Sequence, residues 1–304
     1  MARIPGYGQG EGAVLAPFLL ASNIGTRAAC DSAGQAHPRR LTAPMKIVVC
    51  VKQVPDTWSE KKLDPATKTL DRASVDGVMN ELDEYAVEEA LKIAEATSGE
   101  VVVLSMGPEQ STETIRKALS MGADAGIHIV DDGLAGSDAV ATSLAIAKVI
   151  EGRGADLIIF GSESTDARMS VVPAMVAERL GLPQLTFANK VEAPGDGTVK
   201  AHRLTDYGYD VVEASTPAVV SVVEKINEPR YPSFKGIMAA KKKPVETISL
   251  ADAGIEAAAV GLGAAWSEVA EFAAAPPRAA GTIVTDEGDG GVKIADYLSE
   301  QKFI

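Results

Sequence analysis

Runs of β-branched and aliphatic residues, spaced so that a helical pattern fits between each pair, constrain this chain more than any other feature. Met45 to Lys52 reads MKIVVCVK, Glu100 to Met106 reads EVVVLSM, and Ala155 to Phe160 reads ADLIIF, with a shorter run at Gly126 to Val130. The three longer runs do not alternate apolar with polar residues, so each predicts a strand buried on both faces, as in a parallel sheet covered by helices. Asn80 is placed to cap a helix through Thr97 whose apolar face is Leu82, Ala86, Ala90, Ile93 and Ala94, with Gly99 ending it. Gly107-Pro108 opens a second helix that Gly122 closes, Ser137 caps a third to about Ile150, and a fourth follows the turn Gly161 to Asp166 and stops at Leu180 before Gly181-Leu182-Pro183. Strand, helix, strand, helix at this spacing means right-handed crossovers and an α/β fold.

Beyond Pro183 the rhythm changes. Phe187 to Glu192, Thr198 to Leu204, Asp210 to Ala214 and Ala218 to Val223 are separated by turns such as Pro194 to Gly197, and predict antiparallel strands extending the same sheet. Between the first strand and first helix, Gln53 to Asp76 alternates turn residues with short polar strands, and Asp64-Pro65 with Thr67-Lys68 predicts a hairpin tip. The fold class is therefore an open, mostly parallel sheet flanked by helices, extended by antiparallel strands. Residues 45–243 make up this domain. Residues 1–44 read as a disordered appendage: they are Gly-rich, hold four arginines and lack a period. A transit peptide and an upstream start codon both account for them, since Met45 opens a clean strand. Gly6, Gly8, Gly10 and Gly12 follow no strand and form no dinucleotide fingerprint. Residues 244–304 read as a C-terminal arm, Ala-rich, broken at Pro276-Pro277 and linked by Thr285 to Gly291. It ends in an amphipathic segment bearing Ile294, Tyr297, Leu298, Phe303 and Ile304, expected to wrap a surface of this chain or of a partner subunit.

Composition excludes several functions. A net charge of −13 and a pI near 4.8 argue against a nucleic-acid binder, and no apolar run approaches the roughly 18 residues that membrane insertion needs. Cys30 and Cys50 form no CxxC pair, and His37, His128 and His202 are scattered, so no metal or iron–sulfur site is expected. Cysteine usage fits a reducing compartment: the cytoplasm, or the mitochondrial matrix if residues 1–44 are a transit peptide. Glu88-Glu89 and Asp131-Asp132 read as solvated charges. No nucleophile–base pair or carboxylate dyad stands out, so no catalytic residue is expected.

Two stretches carry functional signals. Glu224 to Lys243, EKINEPRYPSFKGIMAAKKK, holds six basic residues against two acids, a local net of +4 on an acidic chain. Pro229 and Pro232 keep it from being helix or central strand, and Tyr231 and Phe234 put aromatic side chains at the surface. Such a loop on a rigid sheet presents itself to a partner; a solvated, incidentally basic loop is the alternative. Ligands of open parallel sheets bind outside the carboxyl ends of the strands, here Cys50 to Lys52, Met106-Gly107 and Gly161 to Asp166. GSESTDARMSVVP, from Gly161, sets small residues and Asp166 before a helix, where backbone amides favour a phosphate and Asp166 suits a ribose or purine edge. Ser164, Thr165 and Asp166 serve equally well as a cap and turn.

Residues 45–304 resemble the beta subunit of electron transfer flavoprotein. The likeness is carried by MKIVVCVKQVPDTWSEKKL, NELDEYAVEEAL, MGPEQSTETIRKALSMGADAGIH, GSESTDARMSVVPAMVAERLGLPQ and INEPRYPSFKGIMAAKKKP. The resemblance implies a Rossmann-like, adenine nucleotide alpha hydrolase-like fold and an electron carrier, not an enzyme. It implies a heterodimer whose alpha subunit holds most of one FAD, with AMP buried in the beta subunit. Partners would be acyl-CoA and other flavin dehydrogenases as donors and a quinone oxidoreductase as acceptor. By position, the cofactor contacts would be Cys50, Asn80, Glu81, Leu82, Asp83, Met106, Gly161, Ser162, Glu163, Ser164, Thr165, Asp166, Ala167, Arg168, Met169, Ser170, Val171 and Val172. The partner contacts would be Arg230, Tyr231, Phe234, Lys235, Ile237, Met238, Lys241, Lys242 and Lys243, with Phe234 as the anchor where many relatives have leucine. Thr57 and Leu82 stand where some relatives place aromatics near the flavin, and Arg168 where relatives often have a small or acidic residue. A bifurcating branch of the family holds a second FAD in place of AMP; the bulky Arg168-Met169 pair favours AMP here. A stand-alone nucleotide-binding sensor or hydrolase on the same architecture is the reading from a different class.

Overall fold

The structure, a computed structural model, describes residues 44–273, 281, 283 and 285–304. The appendage expected over residues 1–44 and the Pro276-Pro277 break lie almost wholly outside these residues. In chain order the elements are β1 (Lys46–Cys50), β2 (Gln53–Pro55), β3 (Gly77–Met79), α1 (Glu81–Thr97), β4 (Glu100–Met106), α2 (Thr112–Met121), β5 (Ala125–Ile129), α3 (Ala139–Glu151), β6 (Leu157–Gly161) and α4 (Val172–Leu180). Then come β7 (Gln184–Glu192), β8 (Thr198–Thr205), β9 (Gly208–Ser215), β10 (Ala218–Val222), α5 (Phe234–Ala240), β11 (Val245–Ile248) and α6 (Gly290–Glu300).

Nine strands form one sheet in the order β11-β5-β4-β1-β6-β10-β7-β8-β9. Strand β1 sits inside it, parallel to both neighbours, with Val49 opposite Val103 on one side and Ile159 on the other. Its alternate residues feed two apolar layers: Ile47 and Val49, with Val51 just past its end, pack with residues of α1 and α2, while Val48 and Cys50 pack with residues of α3 and α4. A helix layer on each face is what the unbroken apolar runs demanded. Strands β2 and β3 pair separately, and the hairpin tip forms as expected: Leu63 bridges Leu70, and Asp64 Oδ1 accepts from the backbone N–H of Ala66 and Thr67.

The structure corrects the reading at several points. Strand β10 is not antiparallel but lies parallel between β6 and β7, every residue buried, and β7 is parallel to it in turn. AVVSV shows no alternation because both faces are covered; within this sheet only the pairs β7–β8 and β8–β9 are antiparallel. The C-terminal arm begins later than Pro244. Strand β11 extends the sheet in parallel beside β5, and Leu250, Ile255 and Val260 are buried in the second layer, although a four-residue strand is too short to leave a period. Helix α1 is closed by Ser98 in a left-handed conformation, before Gly99. Asp138, not Ser137, caps α3, its carboxylate accepting from Ala141 N–H at 3.0 Å. The basic loop does contain a helix, α5, which starts just past Pro232 and is capped by Ser233. Among the described residues no helix is long and apolar enough to cross a membrane.

Ile159 is fully buried between β1 and β10. Ile159→Ala should lower the unfolding free energy by about 2–5 kcal/mol, the range for deleting such a side chain from a packed core. Urea denaturation measures it, and a loss under about 1 kcal/mol would remove β6 from the sheet centre.

Candidate functional site

At the carboxyl ends of β1 and β6 the chain closes on the first turn of α1. Gly161 is required there, because a Cβ would stand 2.6 Å from Asp83 Oδ1 and 2.9 Å from the Leu82 backbone. Asn80, expected as a helix cap, makes no capping bond with its side chain. Its amide instead donates to Asp83 Oδ1 at 3.0 Å and to the Glu163 carbonyl at 2.9 Å, while its oxygen accepts from Thr165 N–H at 3.1 Å. Asn80 thus holds the loop that follows β6 against α1. The other oxygen of Asp83 accepts from Lys52 N–H at 2.8 Å, so β1, α1 and this loop meet at two side chains.

The loop from Ser162 to Val171 is longer than the sequence indicates, since α4 starts only at Val172. Ser164, Thr165 and Asp166 therefore cap no helix, and the dipole of α4 does not begin where a ligand bound at those residues would need it. Arg168 and Ser170 are held at φ 50 and 56, a region that costs an L residue roughly 1–2 kcal/mol. Ser170 Oγ donates to Glu163 Oε2 at 3.1 Å across the turn. Thr165 Oγ1 is buried and finds no hydrogen-bond partner among the described residues. A strained loop and an unsatisfied buried hydroxyl fit a small polar ligand.

Charge at the site is organised around Asp166, whose side chain is 1% exposed. Lys52 Nζ reaches it at 2.8 Å and Arg72 Nη2 at 2.7 Å. Burial pushes this carboxyl up, but the two cations overcome it and hold the group at about 2. Burial lowers the Lys52 ammonium, with Asp166 opposing. Asp83 goes the other way: desolvation raises it to about 7, against hydrogen bonds from Asn80 and Lys52 N–H. Burial, reinforced by Asp83, raises the Cys50 thiol well above its usual value, which keeps it protonated and poorly nucleophilic. Arg72 escaped the reading from sequence, and Lys52 entered it only as the last residue of a strand end. A lysine ending an otherwise apolar strand was a usable sign; Arg72, in a polar hairpin, gave none.

Of the expected cofactor residues, Cys50, Asn80, Asp83, Gly161, Ser162, Glu163, Ser164, Thr165 and Asp166 gather here, buried or half-buried. Met106 ends the neighbouring β4 and Leu82 lies on α1, both half-buried, whereas Glu81, Ala167, Arg168 and Met169 are exposed. Asp131 is no solvated charge, since its side chain accepts from Gly133 and Leu250 N–H. Among the described residues no group of three His, Cys, Asp or Glu side chains is arranged to hold a metal.

The basic stretch is a second feature, an arm fastened at both ends. At its start Arg230 forks between Glu88 at 2.7 Å and Glu95 at 2.6 Å on α1, so Glu88, expected in solvent, is buried instead. At its end Lys243 Nζ donates to the carbonyls of Leu119, Gly122 and Ala123 at the C-terminus of α2, where a cation also meets the helix dipole. Arg116 of α2 donates back to the Ala240 and Lys243 carbonyls. Two of the nine expected partner residues, Arg230 and Lys243, are thus spent within the chain. The other seven face out: Tyr231 is 96% and Phe234 81% exposed, with Ile237 and Met238 beside them. Lys235, Lys241 and Lys242 are exposed and form no ion pair with any described residue.

Residues 67–253 match the family described as electron transfer flavoprotein domain. Over 264 residues, 85% of this chain and 99% of the relative, the sequence is 53% identical to the electron transfer flavoprotein subunit beta of Mycobacterium tuberculosis. It is 35% identical over 265 residues to the subunit of the same name from Megasphaera elsdenii, covering 84% of this chain and 97% of that protein. Over 243 residues, 79% of this chain and 92% of the relative, it is 36% identical to subunit CarD of the caffeyl-CoA reductase-Etf complex of Acetobacterium woodii.

The two buried acids Asp83 and Asp166 should respond oppositely to pH. Folded Asp166 titrates below an unfolded carboxyl, so its stabilisation is present above about pH 4 and is lost as pH falls toward 2. Folded Asp83 keeps its proton to about 7, so the folded state binds more protons than the unfolded one from about pH 4 to 7, and stability falls as pH rises through that window. Asp83→Asn cannot ionise. The loss of urea midpoint between about pH 5 and about pH 8 should be smaller in this variant than in the parent, and an equal loss would mean Asp83 titrates normally.

Proposed function

Because the chain belongs to the electron transfer flavoprotein family as a beta subunit, we propose that it works as the docking and nucleotide-holding half of a heterodimer whose alpha subunit carries most of one FAD. Members of this family are electron carriers, not enzymes, which agrees with a site built to hold and orient rather than to make bonds. Electrons would arrive from acyl-CoA and other flavin dehydrogenases and leave to a quinone oxidoreductase; the flavin supplies the one- and two-electron chemistry. Since the relatives named above are bacterial, we place this exchange in the cytoplasm.

The observation that carries the reading is the arm. A chain of net charge −13 holds an aromatic side chain, Phe234, 81% exposed on a segment clamped at both ends, with three uncommitted lysines beside it. Burying a phenylalanine contributes roughly 1.5–3 kcal/mol, whereas each exposed ion pair contributes about 0–1 kcal/mol and is screened by salt. Phe234 therefore sets how long a complex lasts, while Lys235, Lys241 and Lys242 steer the encounter.

AMP would occupy the pocket between β1, α1 and the loop after β6. Asn80 and Asp83 would orient that loop, and Thr165 Oγ1 and the backbone of Gly161 to Val172 would face the nucleotide. The pair Lys52–Asp166 would fix the loop from below, and α6 with the residues before it would lie on the alpha subunit.

Two measurements test this. Nucleotides released from the denatured heterodimer should be one FAD and one AMP; two flavins and no AMP would replace the reading with the bifurcating type. Phe234→Ala should speed dissociation of a reduced acyl-CoA dehydrogenase about ten- to a hundredfold at every salt concentration. Exchanging Lys241 and Lys242 for glutamine should slow association only at low salt. A Phe234→Ala protein with an unchanged dissociation rate would end the anchor role.

A further inference from the structure

Helix α1 carries two buried acids that do not touch the nucleotide pocket. Glu88 is 6% and Glu89 4% exposed, and both face the start of the arm. Glu88 accepts three N–H groups from one residue: the Arg230 backbone at 3.1 Å, Nε at 2.7 Å and Nη2 at 3.0 Å. Glu95, two turns further on, accepts from Nη1 at 2.6 Å and Nη2 at 3.3 Å. Glu89 accepts from the Asn227 amide at 3.0 Å, and the same amide donates to the Tyr85 carbonyl. A planar guanidinium forked by carboxylates in two directions has one orientation left to it.

Little freedom remains between Arg230 and the exposed aromatics. Pro232 fixes its own φ. Ser233 Oγ accepts from Gly236 N–H at 3.0 Å to start α5, and Gly236 lies so close to the Ser120 carbonyl that a Cβ would stand 2.5 Å from it. Tyr231 and Phe234 therefore sit on a short, stiff connection between two fixed points, Arg230 on α1 and Gly236 against α2.

We infer, resting on the reading of residues 224–243 as a docking arm, that Glu88 is its positioning residue. Acting through Arg230, it holds Tyr231 and Phe234 in the orientation an electron donor meets. Glu88 does not touch the donor. It sets the fraction of molecules whose arm is ready to bind, and apparent affinity scales with that fraction. Loosening the arm raises KM for the donor and leaves the rate at saturation nearly unchanged.

The test uses the FAD-loaded heterodimer and an acyl-CoA dehydrogenase reduced by its acyl-CoA. Glu88→Gln keeps the side chain's size, and Glu95→Gln changes a carboxylate that is 61% exposed and tolerated by the fold. KM should rise about tenfold in Glu88→Gln and about threefold in Glu95→Gln, with kcat within about twofold of the parent. Adding Arg230→Gln to Glu88→Gln should raise KM no further than Arg230→Gln alone, since both changes cut one connection. Unchanged KM in both glutamate variants, alongside a raised KM in Phe234→Ala, overturns the inference and spares the docking reading. Additive effects of Glu88→Gln and Arg230→Gln also overturn it. If Phe234→Ala leaves KM unchanged, the docking reading itself fails.

Discussion

Three acidic side chains on α1 are taken out of water, and each is matched to donors from a different part of the chain. Asp83 receives Lys52 N–H from the end of β1 and the amide of Asn80, Glu88 receives Arg230, and Glu89 receives Asn227. A buried carboxylate left without such partners would cost several kcal/mol, so these pairings are conditions of the fold rather than additions to it. The helix that carries them is 17 residues long, about 25 Å at the usual rise. One rigid rod thus sets the first strand's end and the loop after β6 at one extreme, and the root of the arm further along. The pocket and the arm are far apart in sequence but are built on the same object.

That arrangement also sorts the cations of the basic stretch. Lys243 and Arg230 are used to fasten, one into the carbonyls that end α2 and the other between two acids, and their charge is largely answered locally. Lys235, Lys241 and Lys242 are left outward on an acidic molecule, so the arm is a positive feature in a negative field. On the docking reading proposed above, such a field would orient an approaching acidic partner before contact, and apolar side chains at the tip would hold it afterwards.

Much of the fold could be read from the chain because continuous apolar runs and intervening amphipathic stretches have few solutions other than a covered parallel sheet. Strand β10 was misplaced on neighbours in sequence, although AVVSV, apolar without alternation, already described a strand covered on both faces. Strand β11 was invisible because four residues at a sheet edge carry no period. That the ends of β1 and β6 lie side by side followed from the parallel-sheet reading. The electrostatics there did not, since Lys52, Arg72 and Asp166 are brought together from three separate loops by folding alone. Glu88 and Glu89 were misread for a related reason. Adjacent acids on a helix normally sit in water; here Arg230 and Asn227, some 140 positions away, together with Lys92 beside Glu89, make their burial tolerable.

Helix α6 closes the chain with Val292, Ile294 and Tyr297 all more than half exposed and with Phe303 and Ile304 following, and none of its residues is buried. A greasy stripe left in water is recognised by chaperones and proteases and sticks to its own kind. A cell making this polypeptide in excess of a companion able to cover that stripe would accumulate a sticky, short-lived orphan. If the companion subunit proposed above covers those residues, balanced synthesis of both chains becomes a requirement on supply rather than on chemistry.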